Sequence, residues 1–380
     1  MHPTYIYVDV YTLRNNIIAI KKFIGNKTKI CLPVKANAYG HGLIGVAKNT
    51  EDLVDYLAVS CLDEGKQLRD NLINIPILVF GAFDEEQIVE LIENSLEVTI
   101  SSLYKARLVV GVCEQLGKSC KIHLKIDTGM RRVGVRPESV SELIIFIQEH
   151  NCLKLTGIYS HFAASEDLST ELTANQILIF DKIVNDVKKI YPNIIAHIAN
   201  SGGVYYHLNS HYDMVRPGLL SYGYFPSDKV TIKPLDVIRP CFKLTTRVVY
   251  FKVIPEQSGI SYNHRYKTTQ QSRIITIPIG YGDGFRRGLS NQVSALVNGK
   301  RYPIVGNICM DLSMIDLGAD GEAYVGDEVV LIGSQGEAEI KIEELAIILN
   351  TIIYEILVGF NERIPRIYLN LKEKNVSTSL

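Results

Sequence analysis

Eight short runs of apolar and β-branched residues recur through roughly the first 220 residues, and stretches with helical periodicity separate them. This alternation is typical of repeated βα units, and eight units favour an α/β fold that closes into a (β/α)8 barrel of the TIM type. The runs that we interpret as strands are residues 29–34, 56–60, 76–80, 96–100, 121–126, 153–160, 195–198 and 213–216.

The pattern changes near residue 235, where strands continue without long helices between them. We therefore predict a barrel domain over residues 1–234 and a mainly β C-terminal domain over residues 235–380. The dipeptide Asn298-Gly299 predicts a type I′ hairpin turn, because both of its positions require a positive φ. The remaining predicted elements of this domain are strands at 242–254, 273–279, 293–297 and 328–332 and one helix at 341–357.

Charge and cysteine content narrow the function classes. Lys plus Arg total 40 against 41 for Asp plus Glu, so no net field attracts nucleic acid or an anionic membrane, and no apolar run approaches the length of a transmembrane helix. Seven cysteines without a C-x-x-C pair indicate a reducing, cytoplasmic setting. His207 and His211 share a spacing of four but lack a third ligand, so we predict no metal site.

Reactive side chains follow several predicted strands, at the barrel end where active sites are built. Lys35 follows the first strand, where desolvation makes an amine a nucleophile toward an aldehyde, although a solvated surface lysine is the plainer interpretation. Ser201 begins a glycine-containing segment after the seventh strand, which fits either a phosphate cradle or a simple helix cap. Arg216 and Gly218 follow the eighth strand.

A second motif offers a different function. Residues 40–45 match G-x-G-x-x-G, and Asp63 and Glu64 follow at roughly the spacing of a dinucleotide-binding fold, which would suggest a nicotinamide-dependent dehydrogenase. In such a fold the strand runs directly into the first glycine, whereas here Lys35 to Tyr39 intervene, and the chain has eight βα units. We therefore favour a turn and close helix packing for these glycines.

The segment Val34-Lys35-Ala36-Asn37-Ala38-Tyr39-Gly40-His41-Gly42 closely resembles the cofactor-lysine motif of bacterial alanine racemases. The resemblance continues in order across almost the whole chain, which makes it far more specific than one motif. The further matching segments are residues 124–134, 157–163, 199–201, 215–218, 259–262, 277–284, 309–311 and 354–355.

This resemblance implies a cytoplasmic homodimer that interconverts L-alanine and D-alanine with pyridoxal 5′-phosphate on Lys35 and supplies D-alanine for peptidoglycan. The β domain of each subunit would complete the partner's active site, so that Tyr262 acts there as the opposite base. Lys125 is often carbamylated in this family and positions Arg132. The family roles map onto phosphate contacts from Tyr39, Ser201, Gly218, Leu219 and Tyr354, a pyridine-nitrogen contact from Arg216, ring support from His161, and substrate contacts from Arg132, Tyr281 and Met310.

The chemistry of the residues agrees with an isomerase. Racemisation removes a proton from one face of Cα and delivers one to the other face, so two bases must flank the cofactor-bound amino acid, and Lys35 and Tyr262 fill those positions. Arg216 can only donate to the pyridine nitrogen, so that nitrogen stays unprotonated and the cofactor is a weaker electron sink, which disfavours transamination. A positive network of His161 and Arg216 would assist Tyr262.

Two departures and several alternatives remain. Asn307 stands where relatives commonly carry a basic residue near the substrate entry, and Glu166 stands where Asp is common. A serine or broad-specificity racemase is therefore the nearest alternative. A fold-type-III decarboxylase is disfavoured by Tyr262 and Arg216, and a non-enzymatic pyridoxal-phosphate-binding homeostasis protein is disfavoured by the whole β domain.

Overall fold

A computed structural model describes residues 3–226 and 235–370 of the chain. These residues form two compact units. The barrel unit comprises the described residues of Thr12–Ala38 and Leu43–Pro240, and the β unit comprises those of Met1–Tyr11, Tyr39–Gly42 and Cys241–Leu380.

Eight parallel strands form the barrel unit, and each one matches a predicted strand to within about two residues at either end. The chain reaches them through β1 (Tyr5–Asp9) and α1 (Val10–Ile24). The eight barrel strands are β2 (Lys29–Pro33), β3 (Tyr56–Val59), β4 (Ile77–Val79), β5 (Glu97–Ile100), β6 (Cys120–Lys125), β7 (Leu153–Tyr159), β8 (Ile195–His197) and β9 (Met214–Val215).

The strand order in this sheet is β8-β7-β6-β5-β4-β3-β2-β9, with every pairing parallel. Backbone hydrogen bonds close the circle between β8 and β9, from Asp213 N to Ala196 O at 3.1 Å and from Arg216 N to Ala199 O at 2.8 Å. The predicted (β/α)8 barrel is therefore confirmed, and the carboxyl ends of its strands share one rim.

Burial explains why these short runs become strands. Every residue of β3, β4 and β5 is buried, as expected for parallel strands covered on both faces. The longest helix in the described parts is α8, with 19 residues, and no helix there is both long and apolar enough to cross a bilayer. The helices after α1 in this part of the chain are α2 (Lys35–Tyr39), α3 (Leu43–Thr50), α4 (Leu62–Asp70), α5 (Ile88–Glu93), α6 (Leu103–Leu116), α7 (Val140–Glu149), α8 (Leu172–Ile190), α9 (Ser201–Tyr206) and α10 (Gly218–Ser221).

The β unit is built on one large sheet whose order is β11-β14-β17-β16-β15-β18-β10-β1-β20, with β19 attached to β18. A separate pair, β12 and β13, carries the segment before Tyr262. The strands of this region are β10 (Phe242–Arg247), β11 (Tyr250–Ile254), β12 (Gly259–Ile260), β13 (Tyr266–Lys267), β14 (Ser272–Ile277), β15 (Ser294–Val297), β16 (Lys300–Val305), β17 (Ser313–Asp316), β18 (Glu328–Gln335), β19 (Ala338–Ile340) and β20 (Arg366–Leu369).

The first strand of the chain belongs to this sheet. β1 pairs antiparallel with β10 and parallel with β20, so residues from both ends of the sequence share it. The division predicted at residue 234 differs from the two units in this respect, because local periodicity does not show which distant strand an edge will pair with.

Of two local predictions for the β unit, one is confirmed and one is wrong. The Asn298-Gly299 hairpin is confirmed, since both residues have positive φ (51° and 75°) between β15 and β16. The single helix predicted over 341–357 is wrong, because α11 (Ile342–Ile348) ends before α12 (Ile353–Gly359) begins. Asn350 takes φ 50°, and Thr351 N donates to Ala346 O at 2.9 Å, which is a Schellman termination.

The glycines of the G-x-G-x-x-G motif serve close packing within the β unit. Gly40 has φ +81°, and a β-carbon there would collide with the carbonyl oxygen of Leu357 in α12. Gly42 has φ +98° and lies against the hydroxyl of Tyr368 in β20. Glu64, the acidic residue suggested for a nucleotide ribose, instead accepts backbone hydrogen bonds beside Lys35. The dehydrogenase interpretation is therefore not supported.

We expect Gly40→Ala to destabilise the protein by about 3 kcal/mol, because it adds both a left-handed alanine and a backbone collision. Gly117→Ala is the matched control, since Gly117 has φ +61° with nothing within 4 Å of a β-carbon, and it should cost only about 1 kcal/mol. Thermal and urea denaturation of the two variants measure the difference, and equal losses would show that the Leu357 contact does not constrain Gly40.

Candidate active site

The segment that begins with Lys35 has an unusual backbone. Lys35 comes two residues after the end of β2, and the four residues Ala36 to Tyr39 all take left-handed conformations with φ between 52° and 53°. Each such residue costs about 1–2 kcal/mol, so the surrounding contacts must hold the turn in place. Two of these contacts are hydrogen bonds from the backbone to side chains: Ala36 N donates to Glu64 Oε1 at 2.6 Å, and Leu43 N donates to Asn37 Oδ1 at 2.7 Å.

Lys35 lies in a cationic environment at the barrel rim. Burial lowers the pKa of its amine, and the nearby guanidinium groups of Arg132 and Arg216 lower it further. The unprotonated amine, which is the nucleophilic form, is therefore favoured more than in an ordinary lysine.

Lys125, at the end of β6, is a second perturbed amine. Burial lowers its pKa to about 8, with further contributions from Arg216, Arg132 and Lys35. Its Nζ lies 5.2 Å from the centre of the Tyr159 ring. Two lysines and two arginines thus act on one another at this rim, and the site will attract an anionic ligand.

Arg216 is almost fully buried and makes several hydrogen bonds. Its Nη1 donates to His197 Nδ1 at 2.7 Å, and its Nη2 donates to Ser160 O at 2.7 Å and Ile198 O at 3.0 Å. His161 Nδ1 also lies 3.3 Å from Nη2; a guanidinium has no acceptor, so His161 can only share an Nη2 hydrogen as an additional acceptor there. These contacts fix the plane of the guanidinium.

His161 is not a source of positive charge in this structure. Burial and then the charge of Arg216 hold its pKa well below the usual range, so its ring is neutral. The expectation of a positive His161 is therefore wrong, and the cations of this network are Arg216, Arg132 and the lysines.

Two short helices begin beside each other after β8 and β9. Leu220 N donates to Ser201 Oγ at 3.1 Å, which ties the start of α10 to the start of α9. The backbone N–H groups of Ser201, Gly202 and Leu219 are buried and have no acceptor within residues 3–226 and 235–370. Gly218 N is already used, since it donates to Arg216 O at 2.9 Å. Buried donors of this kind are suited to a phosphate.

Three predicted site residues meet on the β unit. Tyr281 N donates to Cys309 O at 3.0 Å, next to Met310, and Ser261 Oγ lies 3.5 Å from Cys309 Sγ, next to Tyr262. The side chains of Tyr262, Tyr281 and Met310 are 70%, 43% and 54% exposed. Three segments that are far apart in sequence thus present one exposed group of side chains.

Asn307 lies beneath this group and not on its surface. It is 1% exposed, and its Nδ2 donates to the carbonyl oxygen of Tyr262 at 2.7 Å. The residue that departs from the family pattern therefore supports the backbone of Tyr262. Tyr39 and Tyr354 also meet within the β unit, with ring centres 5.8 Å apart.

The predicted site residues thus fall into two sets. Those of the barrel unit are Lys35, Lys125, Arg132, His161, Ser201, Arg216, Gly218 and Leu219, and those of the β unit are Tyr39, Tyr262, Tyr281, Met310 and Tyr354. The sequence did not point to Glu64 or His197 as members of this site. Glu64 accepts from Ala36 N in the turn after Lys35, and His197 accepts from Arg216. For His197 a signal existed, because a polar residue inside an apolar strand is rarely buried without a partner.

Two family models match the chain in order. The N-terminal domain of alanine racemase matches residues 8–226, and the C-terminal domain of alanine racemase matches residues 241–368. The chain belongs to the alanine racemase family.

Relatives of this family align over nearly the full length. The alanine racemase of Methanococcus maripaludis is 40% identical over 97% of this chain and 99% of its own, and alanine racemase 2 of Caldanaerobacter subterraneus is 39% identical over 97% and 95%. Among solved structures, the alanine racemase of Clostridium difficile 630 has a TM-score of 0.91 at 36% identity, covering 97% of this chain and 96% of its own. That of Bacillus anthracis with bound L-Ala-P has 0.91 at 33%, covering 98% and 96%.

Membership of the alanine racemase family confirms the predicted enzyme class, an isomerase that interconverts L-alanine and D-alanine, and the predicted fold class. These relatives give no support to a serine or broad-specificity racemase.

Proposed function

We propose that this alanine racemase family member uses pyridoxal 5′-phosphate on Lys35, with Lys35 and Tyr262 of the partner subunit as its two bases. One observation carries the proposal. The barrel rim brings an amine of lowered pKa together with Lys125, Arg132 and Arg216 and with buried, unused N–H donors.

The residues of the rim fit this cofactor. The N–H groups of Ser201 and Leu219 and the adjacent helix starts suit a phosphate dianion, and Lys35 suits its aldehyde. We assign Ser201, Gly218, Leu219, Tyr39 and Tyr354 to the phosphate by family resemblance. The Gly218 amide already donates within the chain, so its contribution would be close backbone approach and not a free donor.

Arg216 would face the pyridine nitrogen and His161 the ring. A guanidinium that already donates to two backbone carbonyls and to His197 is held in one orientation, and it cannot give up a proton at working pH. When bound, the cofactor supplies an electron sink for the Cα carbanion, and Arg216 keeps that sink weak. A weak electron sink would favour racemisation over side reactions such as transamination.

The proton transfers belong to Lys35 and Tyr262. Lys35 Nζ removes or returns the proton on one face of Cα, and the hydroxyl of the partner subunit's Tyr262 does so on the other face. Arg132, with Met310 and Tyr281 of the partner subunit, would hold the substrate carboxylate and close the pocket. The positive charge at the rim supports carboxylate binding there.

We infer a homodimer in which the β unit of each subunit serves the other. The exposure of Tyr262, Tyr281 and Met310 supports it, because three large side chains gathered on one surface are typical of an interaction site.

Lys125 carries a further assignment from the family, carbamylation by carbon dioxide. Its pKa of about 8 leaves part of the amine unprotonated near neutral pH, and the anionic product would compensate the surrounding cations. By resemblance we also assign the enzyme to the cytoplasm and to the supply of D-alanine for peptidoglycan.

Borohydride reduction of the cofactor-loaded enzyme, followed by peptide mapping, tests the proposal. We expect the pyridoxyl label on Lys35, because burial lowers the pKa of its amine and the segment that it begins resembles the cofactor-lysine motif. Lys125 is the internal control, since it lies at the same rim with a lowered pKa. Label on Lys125 would contradict the assignment of Lys35 as the cofactor lysine. Wild-type enzyme that racemises L-serine as fast as L-alanine would contradict the substrate assignment.

A further inference from the structure

Four side chains form a hydrogen-bonded row through the interior of the barrel, and we call Glu97, His123, His197 and Arg216 the buried row. Arg216 Nη1 contacts His197 Nδ1 at 2.7 Å, His197 Nε2 contacts His123 Nδ1 at 2.9 Å, and His123 Nε2 contacts Glu97 Oε2 at 3.0 Å. All four are at most 3% exposed. The row links the rim to the beginning of β5.

The donors in the buried row can be assigned from one end. Arg216 has no acceptor, so His197 Nδ1 accepts and the proton of the His197 ring is on Nε2. That proton is donated to His123 Nδ1, which leaves the His123 proton on Nε2, facing Glu97. Every hydrogen bond of the row therefore points from Arg216 towards Glu97.

The other end agrees with this assignment when Glu97 is ionised. Burial raises the pKa of Glu97, but hydrogen bonds from His123 and Thr156, together with Lys121, outweigh it, so the net pKa is lowered. Thr156 Oγ1 donates to the same oxygen at 2.9 Å. Burial and then Arg216 hold the pKa of His197 well below its usual range, so that ring is neutral. A carboxylate thus requires His123 to donate.

We propose that Glu97 and His123 are positioning residues for racemisation: they fix the tautomer of His197 and thereby the orientation of Arg216. This rests on the proposed function of Arg216 at the pyridine nitrogen. With the other tautomer, a His197 Nδ1–H would face the N–H groups of Arg216, and the guanidinium would have to move. The carboxylate of Glu97 prevents this from two side chains away.

The first test needs no variant. In ¹⁵N-histidine spectra of the wild-type enzyme without cofactor, assigned through single His→Gln variants, we expect His197 and His123 to be neutral with the proton on Nε2. A proton on His197 Nδ1 near neutral pH, whether that ring is neutral or doubly protonated, would overturn the proposal, because a protonated Nδ1 cannot accept from Arg216.

The second test is Glu97→Gln. Lys121 Nζ lies 3.8 Å from Glu97 Oε1, and an amide oxygen of Gln at that position places the NH₂ group towards His123. Thr156 Oγ1, which donates to Glu97 Oε2 in the wild type, then donates to its other acceptor, Ile122 O at 3.1 Å. His123 Nε2 must then accept, and the tautomers of both histidines reverse. We expect kcat to fall about tenfold in both directions with little change in KM, because a displaced Arg216 misplaces the reacting centre.

Thr50→Val is the matched control, since Thr50 is fully buried in the same unit and its Oγ1 donates only locally, to Val46 O at 2.8 Å. It should lower the melting temperature without changing kcat or either tautomer. Reversed tautomers in Glu97→Gln with unchanged kcat would overturn the positioning role alone. A wild-type enzyme that binds the cofactor but does not racemise alanine would overturn the proposed function itself, so the two failures are distinguishable.

Discussion

Lys35→Ala will lower kcat for both alanine enantiomers by at least about 10⁴-fold, the upper range for one acid–base group, because in the proposed function Lys35 both carries the cofactor and acts as a base. The variant should also lose the visible absorbance of covalently held pyridoxal phosphate. Its fold should persist, since Lys35 is only partly buried and the left-handed turn is held through Ala36 N and Asn37.

Lys29→Ala is the control for this result. Lys29 lies at the opposite end of the same strand, β2, and its ion pair with Asp55 at 3.7 Å is partly solvent-exposed. Such a pair contributes at most about 1 kcal/mol, so activity should stay near the wild-type value. A coupled assay for D-alanine measures both variants, and substantial activity in Lys35→Ala at full cofactor loading would show that another amine carries the chemistry.

The barrel could be predicted because its signals are local. Each strand from β2 to β9 is short and most are rich in apolar residues, a pattern that burial on both faces favours. The place of β1 could not be predicted in the same way. Its pairing with β10 and β20 depends on hydrogen bonds between residues more than 200 positions apart, to which no local periodicity refers.

The residues of the candidate site also differ in whether a local sequence signal could find them. Lys35, Ser201 and Arg216 follow strands, so the rule that barrel chemistry lies at strand ends could find them. The buried row could not be found this way, because Glu97 and His123 look like ordinary members of strands until the barrel closes and brings their side chains together. The neutral His161 also depends on closure, since burial and then the cations of several different strands lower its pKa.

Tyr262→Phe will lower kcat by about 10²–10⁴-fold, because it removes the hydroxyl that, in the proposed function, transfers the proton on one face of Cα. Stability should change by less than about 0.5 kcal/mol, since the side chain is 70% exposed and the support from Asn307 reaches its backbone carbonyl. Tyr250→Phe is the matched control, an exposed tyrosine on β11 of the same unit, and it should leave kcat unchanged.

Mixed dimers of Lys35→Ala and Tyr262→Phe subunits decide whether Tyr262 acts on the partner's site. If each site takes Lys35 from one subunit and Tyr262 from the other, a heterodimer contains one site with both defects and one site with neither. Random reassociation makes half of the dimers mixed, each with one intact site of two, so activity should recover to about a quarter of the wild-type value from two inactive preparations. If both residues came from one subunit, every site would keep one defect and the mixture would stay inactive. Inactive, verified heterodimers would therefore refute the shared site, and a fully active Tyr262→Phe homodimer would refute the catalytic role of the hydroxyl.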